Sequence, residues 1–482
     1  MREMTEHTGG VPGRLPVLRW ALFALAGVGI AAVSLTSPWI ALLLCGLVAV
    51  LLLSTAKPHL PYFLVIPLLS FISIEVRLWG DPKFFFNLAE PLVLFSFLAW
   101  RIARGTGVAP PYPKTDGDLP ILLLLLWGSA SIVWSSERLF GAYYMLMFSV
   151  GVCFFFLTVA HLDSFRRVKG ALVLFVGMGV INAGMCFYSL LSHDTVEETI
   201  YHTSEHFVLY LFNPEAMLRG QGFLHPLATA YYLSLTLVLL LGFLYTSRSS
   251  HKRLLLALLS FFVFVAMLTT LSKGPLLSLL FGLGIFTLIN DKMKKNAFIS
   301  WILILSLVVV GFALSRVPTN DFEKALDYTS KTSTQTNDES SSLGSRLKRW
   351  KKGMYALFDT YGMGTGSGGF YSYIKPDFAF DNVYVHIIVD YGFIGMWLYL
   401  WFLLVAARRF IAAYRKCTRE QFRKWMQIYI AGFATLLLNG LTSLTQAFLP
   451  IWFYIGIGYA LVHVVARESG EENKNGKVVC QA

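Results

Sequence analysis

Apolar runs of about 20 residues recur along almost the whole chain, and they restrict the possible folds more than any other feature. A helix of that length crosses the roughly 30 Å hydrocarbon layer of a bilayer. The composition agrees, because 56% of the residues are hydrophobic and only 14% are charged, against about 25% charged in soluble domains. Strands of a β-barrel would instead alternate in polarity over segments of about 10 residues. The sequence therefore predicts an all-α polytopic membrane protein with about 12 to 14 transmembrane helices.

The positions of Lys and Arg predict how these helices are oriented. Cytoplasmic connectors of membrane proteins carry an excess of basic residues. If the N-terminus is cytoplasmic, the connectors on that side are rich in Lys and Arg, whereas the short connectors on the other side hold only Arg77, Lys83, Arg138, Arg219 and Lys273. We therefore expect both termini in the cytoplasm. The net charge of +12 then reflects topology, and we expect no nucleic-acid partner.

Two outer segments are longer than the other connectors on that side, and they divide the chain into regions. The predicted regions are N-terminal transmembrane helices at 1–191, an outer segment at 192–223, transmembrane helices at 224–315, a large loop with an amphipathic helix at 316–382, C-terminal transmembrane helices at 383–466 and a cytoplasmic tail at 467–482. The first three spans are expected near 17–34, 36–54 and 60–76, and the span before the large loop near 297–315.

The large loop contains a helical pattern within residues 345–358. Apolar residues recur there at helical spacing, at Leu347, Trp350, Met354, Leu357 and Phe358. The residues on the opposite side are mostly basic. A helix of this kind can lie at a membrane surface.

A glycine-rich stretch follows this helix and holds Gly362, Gly364, Gly366, Gly368 and Gly369. It is not a dinucleotide-binding fingerprint, because no strand of a soluble βαβ unit precedes it. Two interpretations stay open. The stretch is either a flexible turn or a backbone that can approach a bulky or anionic ligand closely.

Four basic side chains are expected at the outer membrane interface. Arg219 precedes the span that begins near residue 224, Lys273 lies in the short joint between two spans, and Arg346 and Arg349 lie on the loop helix. Two to four basic side chains can balance the negative charge of two phosphates, and Arg can bind a phosphate bidentately. The alternative for each residue is snorkelling to lipid phosphates or pairing with a carboxylate. Considered together, they favour a pyrophosphate-binding site.

Carboxylates and histidines near the same interface are candidates for acid-base chemistry. Asp381 directly precedes a membrane helix, so it can be the N-cap of that helix or a general base that activates an acceptor hydroxyl. Asp390 lies deeper in the membrane, where an ionisable group is a functional candidate or a hydrogen-bonded structural group. His386 either lines the site or is a packed histidine, and His225 lies close to Arg219 in the sequence.

Metal and disulfide chemistry find little support in the sequence. No His and carboxylate residues have a zinc-binding spacing, so we expect no metal and no cofactor. The five cysteines are scattered, and no two of them fall in the outer loops. We therefore expect no disulfide bond.

Three motif regions, spread over roughly residues 215–400, resemble the O-antigen ligase and polymerase family of bacterial envelope glycosyltransferases. Arg219-Gly220-Gln221-Gly222-Phe223 is similar to the family's Arg-x-x-Gly-x-Phe at the start of a span. Leu271-Ser272-Lys273-Gly274 is similar to its Ser-Arg-Gly joint. The third region runs from Arg346 and Trp350 through Gly364-x-Gly366 to Asp381-Asn382, nine residues, and Gly392-x-x-Gly395. The family's version of this last element is His-Asn, nine residues, Gly-x-x-Gly.

The resemblance implies a GT-C-like fold and a metal-independent, inverting transfer of a glycan. The donor would be an undecaprenyl-pyrophosphate-linked glycan at the periplasmic face of the bacterial inner membrane. The acceptor would be another lipid-linked glycan in a polymerase or the lipid A core in a ligase. Membrane lipids, and a chain-length regulator or a flippase, would be the partners.

The resemblance also implies roles for particular residues. Arg219 and Lys273 would hold the pyrophosphate, with Arg346 and Arg349 as helpers. Asp381 would be catalytic. The residues expected to line the site are His225, Asn382, His386, Gly364 and Gly366.

Two residues depart from the family pattern. Lys273 replaces the usual Arg, which exchanges a planar fork for a point charge. Asp381 replaces the usual His, and this change favours a polymerase over a ligase. A flippase of lipid-linked sugars is the alternative from another class of protein, although transporters place more charges at mid-membrane depth and show related halves.

Overall fold

The computed structural model shows membrane-length helices together with one small β-sheet. It describes residues 59–69, 75–78, 85–87, 89–105, 107, 109, 112–191, 200–204, 207–210, 226–270, 272–290, 342–374, 382–417, 419–442 and 449–468. The helices are α1 (His59–Leu68), α2 (Ala89–Gly105), α3 (Asp118–Ser131), α4 (Arg138–His161), α5 (Phe165–Leu191), α6 (Pro226–Thr246), α7 (Ser250–Thr269), α8 (Lys273–Ile289), α9 (Ser342–Asp359), α10 (Tyr371–Ile374), α11 (Val383–Lys416), α12 (Glu420–Asn439) and α13 (Leu449–Glu468). The strands are β1 (Glu75–Leu78), β2 (Phe85–Asn87), β3 (Ile200–Ser204) and β4 (Phe207–Tyr210).

The length and apolar character of the helices confirm the class predicted from the sequence. Within the described ranges, six helices are long and apolar enough to cross a membrane, namely α4, α5, α6, α7, α11 and α13. Three more, α1, α3 and α8, are apolar but shorter. The chain is therefore a multi-pass helical membrane protein. The spans expected at 17–34, 36–54 and 297–315 lie outside the described residues.

The span expected at 60–76 is wrong in its second half. Helix α1 ends at Leu68, and residues Glu75–Leu78 form strand β1. The sequence there alternates polar and apolar residues from Ser73 to Leu78, which is a strand pattern. The apolar run that precedes Ser73 made the whole stretch resemble one membrane span.

The sheet that contains β1 joins two connectors that were both predicted on the outer side. Its strand order is β2-β1-β4-β3, and every pair is antiparallel. In the pairing of β1 with β4, Glu75 lies opposite Tyr210 and Arg77 opposite Val208. Strands β3 and β4 belong to the outer segment 192–223, so the connector before α2 lies beside that segment.

Small residues allow several helices to pack closely. Gly282 of α8 faces Thr435 of α12, and Gly151 of α4 faces Trp452 of α13; a Cβ at either glycine would overlap the facing side chain. Close approach through small residues is a main source of attraction between membrane helices, since lipid tails are as apolar as the side chains. These contacts bring α4, α8, α12 and α13 into one buried core.

The connectors separate into two groups at opposite ends of the helices. At one end, the turn between α3 and α4 contacts residues 362–372, and the turn after α12 contacts the first residues of α8 and α11. We call this the loop end. At the other end, Arg409 lies 3.5 Å from Asp116 and Asn290 donates a hydrogen bond to the Tyr245 hydroxyl at 3.0 Å. We call this the basic end. Among the described residues, connectors that the predicted order of spans places on the same side of the membrane lie at the same end of the helices.

Candidate functional site

Residues 362–370, here called the glycine loop, have a backbone that glycine makes possible. Gly362, Gly364, Gly366 and Gly368 have φ values of 79°, 85°, 82° and 69°, in the region that other L-residues rarely adopt. A Cβ at Gly364 would lie 2.5 Å from the carbonyl oxygen of Asp390, and one at Gly366 2.5 Å from that of Ser131. The backbone does approach its neighbours closely, and the neighbours at Gly364 and Gly366 are other parts of the protein. Close approach of this loop to a ligand stays a prediction.

The carboxylate of Asp390 holds the glycine loop from one side. It accepts the backbone N–H of Gly368 at 3.0 Å and that of Phe370 at 3.3 Å, together with the hydroxyl of Thr365 at 3.3 Å. Asp390 is fully buried. A carboxylate deep in a membrane protein is costly unless it is hydrogen-bonded, and these three donors stabilise it. Of its two possible roles, the structure supports the structural one.

The joint between α3 and α4 holds the loop from the other side. Ser131 accepts the backbone N–H of Ser367 at 2.9 Å, and Ser135 donates to the carbonyl of Ser367 at 2.8 Å. The hydroxyl of Ser367 donates to the carbonyl of Gly141 at 3.1 Å. The indole of Trp134 donates to the carbonyl of Gly364 at 3.2 Å. The loop is therefore clamped between α11 and the start of α4.

Helix α11 is broken at the point where the glycine loop meets it. Gly392 has φ 67° and ψ −166°, which interrupts the helical hydrogen bonds. The carbonyls before the break find other donors. Val389 accepts from Thr365 N at 2.8 Å, Asp390 from Gly366 N at 3.0 Å, and Tyr391 from the indole of Trp127 at 2.8 Å. Non-helical backbone at membrane depth is tolerated where protein satisfies it in this way.

The second glycine of Gly392-x-x-Gly395 serves packing. A Cβ at Gly395 would overlap the side chain of Tyr391 and approach Trp127. The motif thus combines a helix break with a close contact between α11 and α3. Its physical role is to seat the glycine loop.

Asn382 is the N-cap of α11. Its side-chain oxygen accepts the backbone N–H groups of Tyr384 at 3.0 Å and Val385 at 3.1 Å. Asn382 thus satisfies free N–H groups at the start of the helix, whereas Asp381, the residue that the sequence suggested as a cap, lies outside the described residues. The backbone N–H of Val383 also donates to the carbonyl of Gly440 at 2.8 Å, which fixes the start of α11 against the turn after α12.

His386 lies one turn further along α11 in a closed environment. Its Nε2 is 3.3 Å from a carboxylate oxygen of Asp390, and its Nδ1 is 3.3 Å from the hydroxyl of Tyr144. The ring of Phe370 packs edge-on against the imidazole, with centroids 4.3 Å apart. His386 and Asp390 are both fully buried. This is the packed histidine that the sequence left as one alternative.

Helix α9, which carries two of the predicted arginines, packs against α11 and the end of the glycine loop. Arg346, Arg349 and Trp350 are half-buried on the same side of α9. Trp350 packs against the small buried cluster of Phe370 and Val389. Arg346 and Arg349 therefore lie one turn apart on the side of α9 that Trp350 anchors to the protein.

The predicted apolar stripe of α9 is wrong as a single face. Leu357 is buried and Trp350 half-buried, but Leu347 is 51% exposed and Phe358 62% exposed. The buried face instead includes the small residues Gly353 and Ala356. Small side chains let α9 approach the protein closely. The spacing predicted the helix, which is present as Ser342–Asp359, but it could not predict how the apolar residues divide.

Lys273 is the first residue of α8 and lies at the same loop end. The next residue, Gly274, lies so close to Thr442 that a Cβ would overlap its side chain. Thr442 belongs to the turn whose Gly440 carbonyl binds Val383. Lys273 and the Asn382 cap are thus brought to one short turn. A lysine at a helix N-terminus adds its charge to the positive end of the helix dipole, and the combination favours an anion.

The described site residues therefore share one end of the molecule. Lys273, Arg346, Arg349, Asn382, His386, Gly364 and Gly366 all lie at or near the loop end. Arg219, His225 and Asp381 lie outside the described residues. The residues that clamp the glycine loop, Ser131, Ser135 and Trp134, were not singled out from the sequence.

Comparison with known proteins defines the class of this multi-pass protein. The O-antigen ligase family model (Wzy_C) matches residues 255–400, a range that contains α8, α9, the glycine loop and the broken part of α11. The match confirms the family resemblance and includes the second and third motif regions, whereas the first, at residues 219–223, lies outside it. Residues 255–400 thus match an O-antigen ligase domain, and this match supports a membrane enzyme of the O-antigen ligase or polymerase type.

Individual relatives are distant in sequence. The teichuronic acid biosynthesis protein TuaE of Bacillus subtilis (strain 168) is 21% identical over 355 residues, which cover 71% of this chain and 70% of that protein. The solved structure "Structural coordination of polymerization and crosslinking by a peptidoglycan synthase complex" contains a chain that is 16% identical, with a TM-score of 0.41. The match covers 73% of this chain and 96% of that one.

Proposed function

We propose that this protein is an inner-membrane glycosyltransferase that polymerises a surface polysaccharide at the periplasmic face. It takes a glycan from an undecaprenyl-pyrophosphate carrier and passes it to a second lipid-linked glycan. An acceptor hydroxyl attacks the anomeric carbon, the bond from that carbon to the pyrophosphate oxygen breaks, and undecaprenyl pyrophosphate leaves. The hydroxyl proton goes to the general base. A single displacement inverts the anomeric configuration and requires no metal.

The proposal rests on cationic groups beside α11. Lys273 at the N-terminus of α8 and the capped start of α11 both lie against the turn after α12, and α9, which carries Arg346 and Arg349, packs against the small cluster that contains Val389 of α11. A pyrophosphate is a doubly charged group, and a leaving pyrophosphate gains charge as the sugar bond breaks. Fixed cations and helix dipoles that stabilise this developing charge lower the barrier.

Asp381 is the proposed general base. It immediately precedes Asn382, which provides the cap of α11 by itself. The carboxylate of Asp381 is therefore not needed for the helix, and the beginning of α11 next to the cationic groups suits an acceptor hydroxyl. The negative charge that Asp381 adds is offset by the basic residues proposed for the donor side, Arg219 among them.

The sidedness of the two ends supports the proposed orientation. The basic end carries Arg409 and the Lys and Arg residues around the joint between α11 and α12. An excess of basic residues on short connectors marks the cytoplasmic side. The loop end, with the proposed site, then faces the periplasm, where lipid-linked glycans are joined in the proposed reaction.

Ligation is the second candidate, because the matching family model is described as an O-antigen ligase. The donor side would be the same and the acceptor would be the lipid A core. The name of the relative TuaE, from teichuronic acid biosynthesis, supports glycan assembly in general.

A reconstitution assay separates these functions. Purified full-length protein in proteoliposomes receives an undecaprenyl-pyrophosphate oligosaccharide, with or without lipid A core, in the presence of EDTA. Longer glycans on the carrier support the polymerase, and transfer to lipid A core supports the ligase. Movement of the lipid between leaflets without any transfer would overturn the enzyme proposal in favour of a flippase.

A further inference from the structure

The exposed half of α9 divides into an apolar strip and a polar strip. Leu347, Tyr355 and Phe358 are 51%, 57% and 62% exposed. Together with Lys351 they recur every three or four residues, so they form one strip along the helix. The ammonium of Lys351 lies 5.7 Å from the ring centre of Tyr355. The polar strip beside it consists of the exposed residues Lys348, Lys352 and Asp359.

The apolar strip continues directly onto a membrane-spanning helix. After α9 the chain exposes Tyr361 at 96% and Met363 at 44%. Between them, the carbonyl of Gly362 accepts the backbone N–H of Phe393 at 3.0 Å, and the ring of Phe393 lies directly against Gly362. This contact joins the turn after α9 to α11, next to the break at Gly392.

The part of α11 that it joins is itself apolar and exposed. Phe393, Ile394 and Trp397 are 55%, 45% and 61% exposed, and α11 is one of the helices that can cross the membrane. Apolar side chains exposed on a spanning helix face lipid, and Trp and Tyr favour the depth of the lipid headgroups. A continuous apolar surface therefore leads from lipid-facing residues to the strip on α9.

We propose that α9 docks on the outer surface of the bilayer through Leu347, Lys351, Tyr355 and Phe358. The apolar side chains would enter the boundary between headgroups and acyl chains, as in other interfacial helices. Lys351 and the lysines of the neighbouring polar strip would then lie at the level of the phosphates, where they favour anionic phospholipids. The occupant of this surface is the lipid of the outer leaflet.

Three sectors of one helix then have three different surroundings. Trp350, Gly353 and Leu357 face the protein, the apolar strip faces lipid, and the polar strip faces water. Held from two sides, α9 would lie parallel to the membrane plane with Arg346 and Arg349 on the protein side. The inference concerns the lipid contact alone and stands independently of the proposed transfer reaction.

Spin labels on the full-length protein test this docking. Phe358→Cys and Lys352→Cys are made in a variant whose five native cysteines are replaced by serine, and each is labelled and placed in nanodiscs of phosphatidylcholine and phosphatidylglycerol. Both positions are exposed, so neither label disturbs the fold, and they differ in the strip to which they belong. The measured quantity is the ratio of collision rates with oxygen, which dissolves in lipid, and with a water-soluble nickel chelate.

The expected oxygen-to-nickel ratio is several-fold higher at residue 358 than at residue 352. Replacing Lys348 and Lys351 by Gln should bring the ratio at 358 closer to that at 352, because the attraction to phosphatidylglycerol is weakened. Equal ratios at both positions would show that α9 stands in water and would overturn the proposal. Protection of residue 358 from both probes would also overturn it, since a protein surface would then cover the strip.

Discussion

The carboxylate of Asp390 accepts the backbone N–H of Gly368 at 3.0 Å, and this contact ties the glycine loop to the broken helix α11. The same carboxylate accepts the backbone N–H of Phe370 and the hydroxyl of Thr365, while the carbonyls of Val389 and Asp390 accept the backbone N–H groups of Thr365 and Gly366. One acidic residue thus holds the glycine loop against α11.

Replacing Asp390 by Asn should weaken this arrangement. The amide group would present one oxygen and one NH2 to a set of donors, so at least one backbone N–H would lose its acceptor. Hydrogen bonds to charged groups contribute about 1.5–3 kcal/mol each, and a buried donor left without a partner costs about 1–3 kcal/mol. We expect a lower unfolding temperature in detergent, followed by tryptophan fluorescence, and a parallel loss of glycan transfer.

Asp116→Asn is the matched control for that variant. Asp116 pairs with Arg409 at 3.5 Å, but its side chain is 58% exposed. Exposed ion pairs contribute at most about 1 kcal/mol. Equal destabilisation by the two substitutions would contradict the role assigned to Asp390.

Gly392→Ala should be strongly destabilising. Gly392 has φ 67°, and a Cβ there would lie 2.5 Å from the carbonyl carbon and oxygen of Met363. The left-handed conformation costs a non-glycine residue roughly 1–2 kcal/mol, and the overlap with the loop backbone adds to that. We expect reduced thermal stability and faster proteolysis of the glycine loop.

Gly184→Ala in α5 provides the comparison. No atom lies within 4 Å of a Cβ built at Gly184, and the residue lies inside a helix, where Ala is favoured over Gly by about 1 kcal/mol. That variant should be as stable as the parent or more stable. If Gly392→Ala behaves in the same way, the helix break is not required.

The sequence was sufficient for the class of fold, and it also predicts on which side of the membrane each connector lies. Hydrophobic length and the positions of Lys and Arg are properties of single segments, and they depend little on tertiary contacts. The amphipathic helix could be predicted for the same reason. Which side of α9 faces the protein could not, because Gly353 and Ala356 become buried through contacts with distant residues.

The candidate site was only partly predictable for a similar reason. Lys273 and the arginines of α9 could be selected as cations at one interface. The roles of Asp390 and Asn382 depend on hydrogen-bond partners that no spacing shows, such as Gly368. Ser131 and Ser135 gave a weak signal for a contact with another segment. Two apolar helices offer few hydrogen-bond partners to hydroxyl groups at the joint between them, so such groups tend to bind a different part of the chain.

Asp381→Asn separates catalysis from helix capping. Because Asn382 already caps α11, the substitution should leave membrane expression and thermal stability unchanged. Transfer should fall by at least about 100-fold, the usual contribution of a general base. Asn382→Ala should instead lower the stability by about 1 kcal/mol, because the cap is lost. Asn382→Asp retains the cap and should be as stable as the parent. Full transfer activity in Asp381→Asn would rule out the base.

Removing the charge of Lys273 tests the donor side. If its ammonium binds the pyrophosphate, Lys273→Ala loses a charge-assisted hydrogen bond of about 1.5–3 kcal/mol, and kcat/KM for the undecaprenyl-pyrophosphate glycan should fall at least about 10-fold. Lys273→Arg keeps the charge and should retain much of the activity, since Arg can also bind phosphate.

Arg349→Ala should lower kcat/KM as Lys273→Ala does if that arginine helps to hold the donor. Lys252→Ala is the control, because Lys252 also lies in the first turn of an apolar helix but is exposed at the basic end. Transfer is measured in proteoliposomes at matched protein content. Equal activity of the Lys273→Ala and Lys252→Ala variants would show that the pyrophosphate is bound elsewhere.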